Sequence, residues 1–359
     1  MTEQSDPHRG TRILVIVAAL AIITGGIHQA QSVLEWLLIA VFLAAICAPS
    51  VLWLERNRIP YTVAVLLVVA GMAAIFAVIG VLVGTSLNSF YADLPEYQVR
   101  LQKHVSSLQT FLATKGIRFA DSIQFDPVTP QTVRRLTASL LAGLGSTLFE
   151  IVLVLLTVTF ILLEASSFPA KLRAVLGEPK KDFHAFMRFV YDINRYMVIK
   201  TVISMTAGVL IGIWLWILGV DFPILWGFLA FLLHYVPNIG ALISSVPAIS
   251  LALIQLGIGP AALAASGYLS VNFILGNVVE PMLMGRRLGL STLVVFLSLI
   301  FWGGLLGLIG VVLCIPLTMT LKFVCENNKS TQWIAVLLGP EMCPAPAPPA
   351  SEKGADPVA

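Results

Sequence analysis

The sequence predicts an all-α polytopic membrane protein with re-entrant or broken helical hairpins in its C-terminal half. Three observations carry this. Of 359 residues, 58% are hydrophobic and only 11% charged, where soluble domains carry about 25% charged residues. Several apolar runs approach the roughly 20 residues that cross about 30 Å of hydrocarbon. From Thr201 to Gly285 there is no Lys or Arg, and the only acids are Asp221 and Glu280. The formal net charge of +3 gives no reason to expect nucleic acid as a partner.

Residues 1–12 form a short N-terminus with Arg9 and Arg12. Three spans fill 13–83. Ile13–Ile27 lacks a clear small-residue cleavage site and reads as a retained helix rather than a signal peptide. Val33–Leu54 follows, with Pro49 near its end. Tyr61–Val83 follows Pro60, which stands where a helix can start. From 84 to 146 the pattern becomes amphipathic: Phe90, Leu94, Tyr97, Leu101, Val105, Leu108 and Leu112 recur every three or four residues, the period of one helical face. Gly116 ends that seam. "FDPVTPQTVRRL" restarts a helix, with Thr129 as N-cap and Pro130 at the first helical position. A fourth span occupies 147–163.

Residues 164–200 hold seven basic side chains (Lys171, Arg173, Lys180, Lys181, Arg188, Arg195, Lys200) interleaved with the apolar stripe Phe183, Phe186, Met187, Val190, Ile193, Met197. A basic amphipathic helix suits the cytoplasmic headgroup surface. The positive-inside rule then places both termini, Arg56, Arg58 and 164–200 in the cytoplasm, and 84–146 outside.

Residues 201–324 contain shorter apolar runs: Val202–Leu218, Ile224–Leu233, Ala241–Leu256 and Ala261–Leu275. Ile224–Leu233 is too short to span. Ser291–Phe323 is too long, at roughly 50 Å if helical throughout, and Gly303, Gly304, Gly307, Gly310 and Pro316 predict a break within it. "WGFLAFLLHYVPNIGALISSVP" and "FLSLIFWGGLLGLIGVVLCIP" share a layout: an aromatic-rich half, Ile-Gly, then an apolar half ending in Pro. Paired Gly/Pro-interrupted segments point to discontinuous helices around a transporter's binding site. Residues 325–359 read as a cytoplasmic tail, disordered from about 343 in the Pro/Ala-rich "CPAPAPPASEKGADPVA".

No catalytic, metal or cofactor motif is present. GxSxG, HExxH and the P-loop are missing, and Cys47, Cys314, Cys325 and Cys343 have no CxxC spacing. The polar residues of the C-terminal region carry more. Irregular backbone at membrane depth needs protein or an aqueous cavity around it. Pro237 and Gly240 predict such a break. His234, Asn238, Ser244, Ser245, Asn272 and Asn277 are candidate pathway residues along with it, though Ser and Asn also satisfy breaks or bond neighbouring helices. Glu280 is a candidate for gating or proton coupling, with Arg286 or Arg287 as its expected partner.

"HYVPNIGALISSVPA", the run "GNVVEPMLMGRRLGLSTLVVFLSLIFWGGLLGLIGVVLCIPLTMTLKF", "LTVTFILLEA" and the closing "IAVLLG" together resemble the autoinducer-2 exporter family of bacterial inner-membrane proteins, over about Arg12 to Leu338. The resemblance implies about eight transmembrane helices, re-entrant segments and homo-oligomers, a pentamer among them. His234 and Gly304 depart from the family pattern, where asparagine and tryptophan are usual. The resulting expectation is a secondary exporter of a small polar solute, autoinducer-2 above others, working by alternating access. A sodium/proton antiporter and a non-transporting membrane scaffold are the rival expectations.

Overall fold

A computed structural model describes residues 25–26, 29–114, 149–168, 170–171, 174, 180–237, 239–284, 290–327 and 331–339. These are mostly helical, with no strand among them. The first predicted span lies almost wholly outside the described residues, as do the restart at Thr129 and Pro130 and the tail from 340.

Helix α1 (Gln31–Arg56) and helix α2 (Tyr61–Thr114) form an antiparallel pair. The turn between them places Arg58 at φ 68°. Helix α3 (149–165) packs on both. Ala40, Ala44 and Ala64 let the backbones approach, and Val51, Val65, Val154, Val158 and Leu162 fill the seam. Small side chains at such contacts matter because lipid is as apolar as the helices and close packing must hold them together. The periodicity separates a span at Val83 from an amphipathic helix after it. The structure joins the two in one helix of 54 residues, about 80 Å long. No Gly/Pro pair interrupts the junction, and Pro95 is accommodated inside the helix.

Helix α4 (Lys180–Leu218) likewise merges two predicted segments, the end of the basic stretch and the apolar run after it. Its buried positions Tyr196, Met197, Lys200, Ile203, Ala207, Ile211 and Leu215 recur at helical spacing. A first hairpin comes next: helix α5 (Pro223–Leu233) and helix α6 (Gly240–Leu256). Helix α7 (Ile258–Ile274) continues through a π-turn, Leu275–Val279, into helix α8 (Glu280–Met284). A second hairpin comprises helix α9 (Thr292–Val312) and helix α10 (Cys314–Glu326). The predicted tail begins with helical chain. Helix α11 (Gln332–Leu338) docks back, and Ser291 N–H bonds the Leu338 carbonyl at 3.2 Å.

Side-chain contacts sort the ends of these helices onto two faces. Tyr61, just past Arg56 and Arg58, donates to the Leu162 carbonyl; Arg195 donates to the Leu283 carbonyl and Phe189 stacks on Phe323 of α10; the helix ends on this side are here called the basic face. Tyr97 donates to Asp221 at 2.6 Å, and Gly307 lies near Gln31 and Glu35, which defines the far face. Large apolar side chains such as Leu66, Val78, Val152, Phe160, Ile213, Leu269 and Phe273 are exposed around the bundle between the faces, as a lipid-facing belt requires.

Candidate functional site

The first hairpin enters from the far face. Its base is tied at Asp221, whose carboxylate accepts from Tyr97 and whose N–H bonds the Gln255 side chain at 3.1 Å. Phe90 on α2 packs edge-on against Phe222 and Trp226. Eleven residues of α5 reach about 16 Å into the bundle. The chain then turns at His234–Ile239. Pro237 supplies no N–H, and the turn closes through Val236 N–H to the Leu233 carbonyl (2.9 Å) and Gly240 N–H to the Val236 carbonyl (3.3 Å). Gly240 is buried against α5. A Cβ there would lie 2.7 Å from the Leu233 carbonyl carbon and closer still to its oxygen.

The second hairpin enters from the basic face and reverses inside α9. Leu306 leaves helical geometry (φ −124°, ψ 16°), and Gly307 takes φ 58° and ψ −144°, a region that favours glycine. Gly310 then repeats the role of Gly240. Its Cβ would lie 2.6 Å from the Trp302 carbonyl carbon and 2.8 Å from Leu306 Cβ. A Cβ on Gly303 would meet Val311 at 2.7 Å, whereas Gly304 has open space. Pro316 is buried in the first turn of α10, where its missing N–H forfeits no helical bond. Trp302 Nε1 donates to Thr318 at 3.0 Å, which locks the two arms together. Of the five residues predicted to mark a break, Gly307 stands at it. Gly303 and Gly310 line the crossing of the arms.

Both hairpins meet α4 around an ion pair. Lys200 Nζ lies 2.9 and 3.0 Å from the two carboxylate oxygens of Glu280. Their side chains are 5% and 21% exposed. One residue on, Thr201 accepts a hydrogen bond from Tyr235, at the tip of the first hairpin, at 2.8 Å. His234 is within electrostatic reach of Lys200. Cys314, in the second hairpin, lies near Lys200 and Ser298. The π-turn aims Glu280 at α4: an inserted residue rotates the helix beyond it by about 100°. Pro281 lacks the N–H that would bond the Asn277 carbonyl, so the wide turn sacrifices no bond there.

Among the other predicted residues, Ser244 and Ser245 are buried and donate to Ala241 and Leu242 in their own helix. Asn272 is half-buried and Asn277 exposed. Asn238, Arg286 and Arg287 lie outside the described residues. The carboxylate of Glu280 is met by Lys200, which the sequence pattern assigns to a headgroup-facing helix. The signal was present, because Lys200 falls on the buried stripe of α4, four residues after Tyr196. Also missed were Tyr196 and Ser204. Ser204 Oγ and His234 Nε2 are buried and have no hydrogen-bond partner among the described residues, as is also true of Asn194 Oδ1 and the Tyr268 hydroxyl.

A cavity of about 520 Å³ opens between α4 and α10 on the basic face. Arg188, Asp192, Arg195, Lys322 and Glu326 line its walls, and Tyr196, Ile199 and Met284 lie deeper. Phe189 and Phe323 stack at 4.2 Å beside it.

The chain matches the model of the AI-2E family transporters over residues 13–329. It is 37% identical over 340 residues to YhhT of Escherichia coli strain K12, covering 94% of this chain and 97% of that one. To the AI-2 transport protein TqsA of the same strain it is 36% identical over 329 residues, covering 92% and 96%. A relative in Haemophilus influenzae is 34% identical over 335 residues, covering 91% and 96%. With its apolar helices and opposed hairpins, this chain belongs to the AI-2E transporter family of multi-pass membrane proteins.

Proposed function

We propose that the protein is a secondary exporter of a small polar solute, autoinducer-2 above others, in the bacterial inner membrane, with both termini in the cytoplasm. One observation carries the reading. Two hairpins entering from opposite faces converge on a buried polar cluster of Lys200, Glu280, His234 and Ser204. Such a pair of interrupted elements around one site is the arrangement that alternating access uses. The far-face knot at Asp221 and the scaffold of α1–α3 anchor one hairpin while the other carries its own crossing. AI-2 as the solute is supported by the name of the TqsA relative. Asn238 completes the solute site in this reading, and copies of the chain assemble through the apolar belt, a pentamer being one such form.

The test is flux. Purified protein in liposomes moves labelled autoinducer-2, and cells lacking the gene retain more of it inside. Equal partition with and without the protein refutes export. The Lys200–Glu280 pair favours sodium/proton antiport as a second reading, because it sets ionisable groups inside the helix bundle of a membrane protein. Sodium-driven proton movement that vanishes in Glu280→Gln would select it.

A further inference from the structure

We propose that Lys200 and Glu280 form the inner gate of the transport path, closing the charged cavity between α4 and α10 off from the polar cluster behind them. This rests on the transport reading above. One face of α4 lines up the parts in order, each one helical turn from the last: Asp192 in the wall of the cavity, Tyr196 at its depth, Lys200 in the ion pair, and Ser204 beyond it. Tyr196 is 5% exposed and Lys200 4%, whereas Asp192 is exposed. Burial is thus complete by Tyr196, one turn in from Asp192, and the pair lies one turn further along the same buried face. Lys200 also stands eighteen residues from the far end of α4 at Leu218, about 27 Å, which sets the pair near the basic-face edge of the hydrocarbon. A solute entering between Arg188, Arg195 and Lys322 meets this closure before it reaches Ser204 and His234.

The pair is also placed to open. Glu280 begins a helix of five residues preceded by the π-turn Leu275–Val279 and followed at once by Pro281. A π-turn relaxes to an α-turn by the shift of one residue, which would swing Glu280 about 100° away from α4. Lys200 remains on a continuous helix of 39 residues and is the fixed side of the gate.

Thiol labelling tests this without any solute. The parent carries Cys343→Ser and keeps Cys47, Cys314 and Cys325, all buried. In inside-out vesicles, Asn327→Cys reports the cavity and Ser204→Cys the space behind the gate. A membrane-impermeant maleimide labels Asn327→Cys readily and Ser204→Cys slowly. Adding Glu280→Gln or, separately, Lys200→Met speeds labelling of Ser204→Cys by at least about tenfold, as a shift of one decade in the closed-to-open ratio requires. Asn327→Cys is unaffected. The exchanged pair Lys200→Glu with Glu280→Lys restores slow labelling. Monodisperse elution of each variant shows that it is folded, and the two single changes serve as independent routes should one fail to insert. Unchanged labelling of Ser204→Cys in both single variants overturns the gate, as does an Asn327→Cys that never reacts. Absence of flux in liposomes refutes transport instead, so the two failures are distinguishable.

Discussion

Adding a single methyl group at Gly240 tests whether the first hairpin depends on contact between its own arms. The new carbon in Gly240→Ala would sit 2.7 Å from the Leu233 carbonyl carbon and 3.1 Å from Val236 Cβ. Carbon pairs rest at about 3.5–4.0 Å, and the Leu233 carbonyl oxygen lies nearer still, so the arms must part by more than about 1 Å. Leu233 contributes backbone here, and a rotamer change cannot relieve the clash. Overpacking of this kind costs about 1–3 kcal/mol when side chains absorb it, and backbone resistance puts Gly240→Ala at the upper end, about 3 kcal/mol. At about 2–4 °C per kcal/mol, the apparent melting temperature in detergent falls by about 6–12 °C. Gly304→Ala is the control, because nothing lies within 4 Å of its added carbon. That change gains helix propensity of up to about 1 kcal/mol and leaves melting unchanged or raised. The assay is thermal melting followed by size-exclusion fluorescence, with flux measured on the surviving protein. If Gly240→Ala and Gly304→Ala melt alike, the arms do not depend on this contact and the hairpin argument fails.

Gly310→Ala repeats the test in the second hairpin. Its carbon would lie 2.6 Å from the Trp302 carbonyl carbon, and a drop similar to that of Gly240→Ala is expected in the same melting assay. Glu280→Gln leaves Lys200 buried and unpaired, which costs about 3–5 kcal/mol. The double change Lys200→Met with Glu280→Met recovers most of that stability while flux stays lost, as melting and liposome uptake will show. Tyr97→Phe removes a 2.6 Å hydrogen bond to Asp221. Bonds to charged groups contribute about 1.5–3 kcal/mol, so hydrogen exchange at the base of α5 and α6 should quicken in this variant and stay unchanged in Tyr91→Phe. Asn238→Ala, with Pro237 kept, lowers flux while membrane insertion and melting hold, and normal flux in that variant moves the solute site elsewhere.

Much of the architecture was legible because hydrocarbon imposes a simple rule. Apolar length marks spans, and Gly with Pro marks where a helix cannot continue. The likeness of the two interrupted segments came from the same residues, and the Leu306–Gly307 reversal falls within the stretch whose glycines predicted it. The second and third spans and their packing partners were legible in the same way, except that local periodicity cut α2 and α4 into pieces. A change in side-chain polarity does not break a backbone that lacks a paired Gly and Pro at that point, so both helices run through the change.

The sequence by itself determined that this is a helical membrane protein of a transporter family, with two interrupted hairpins and few charges between them. Only the tertiary structure decided which charges matter. Lys200 and Glu280 are eighty residues apart in the chain, and the apolar stripe that Lys200 shares marks it as buried without naming its partner. Its pairing depends on how α4 packs against α7 and α8, and on a π-turn whose extra residue turns Glu280 inward. A desolvated charge is tolerable only beside its counter-charge, and such proximity is a property of packed helices rather than of their separate patterns.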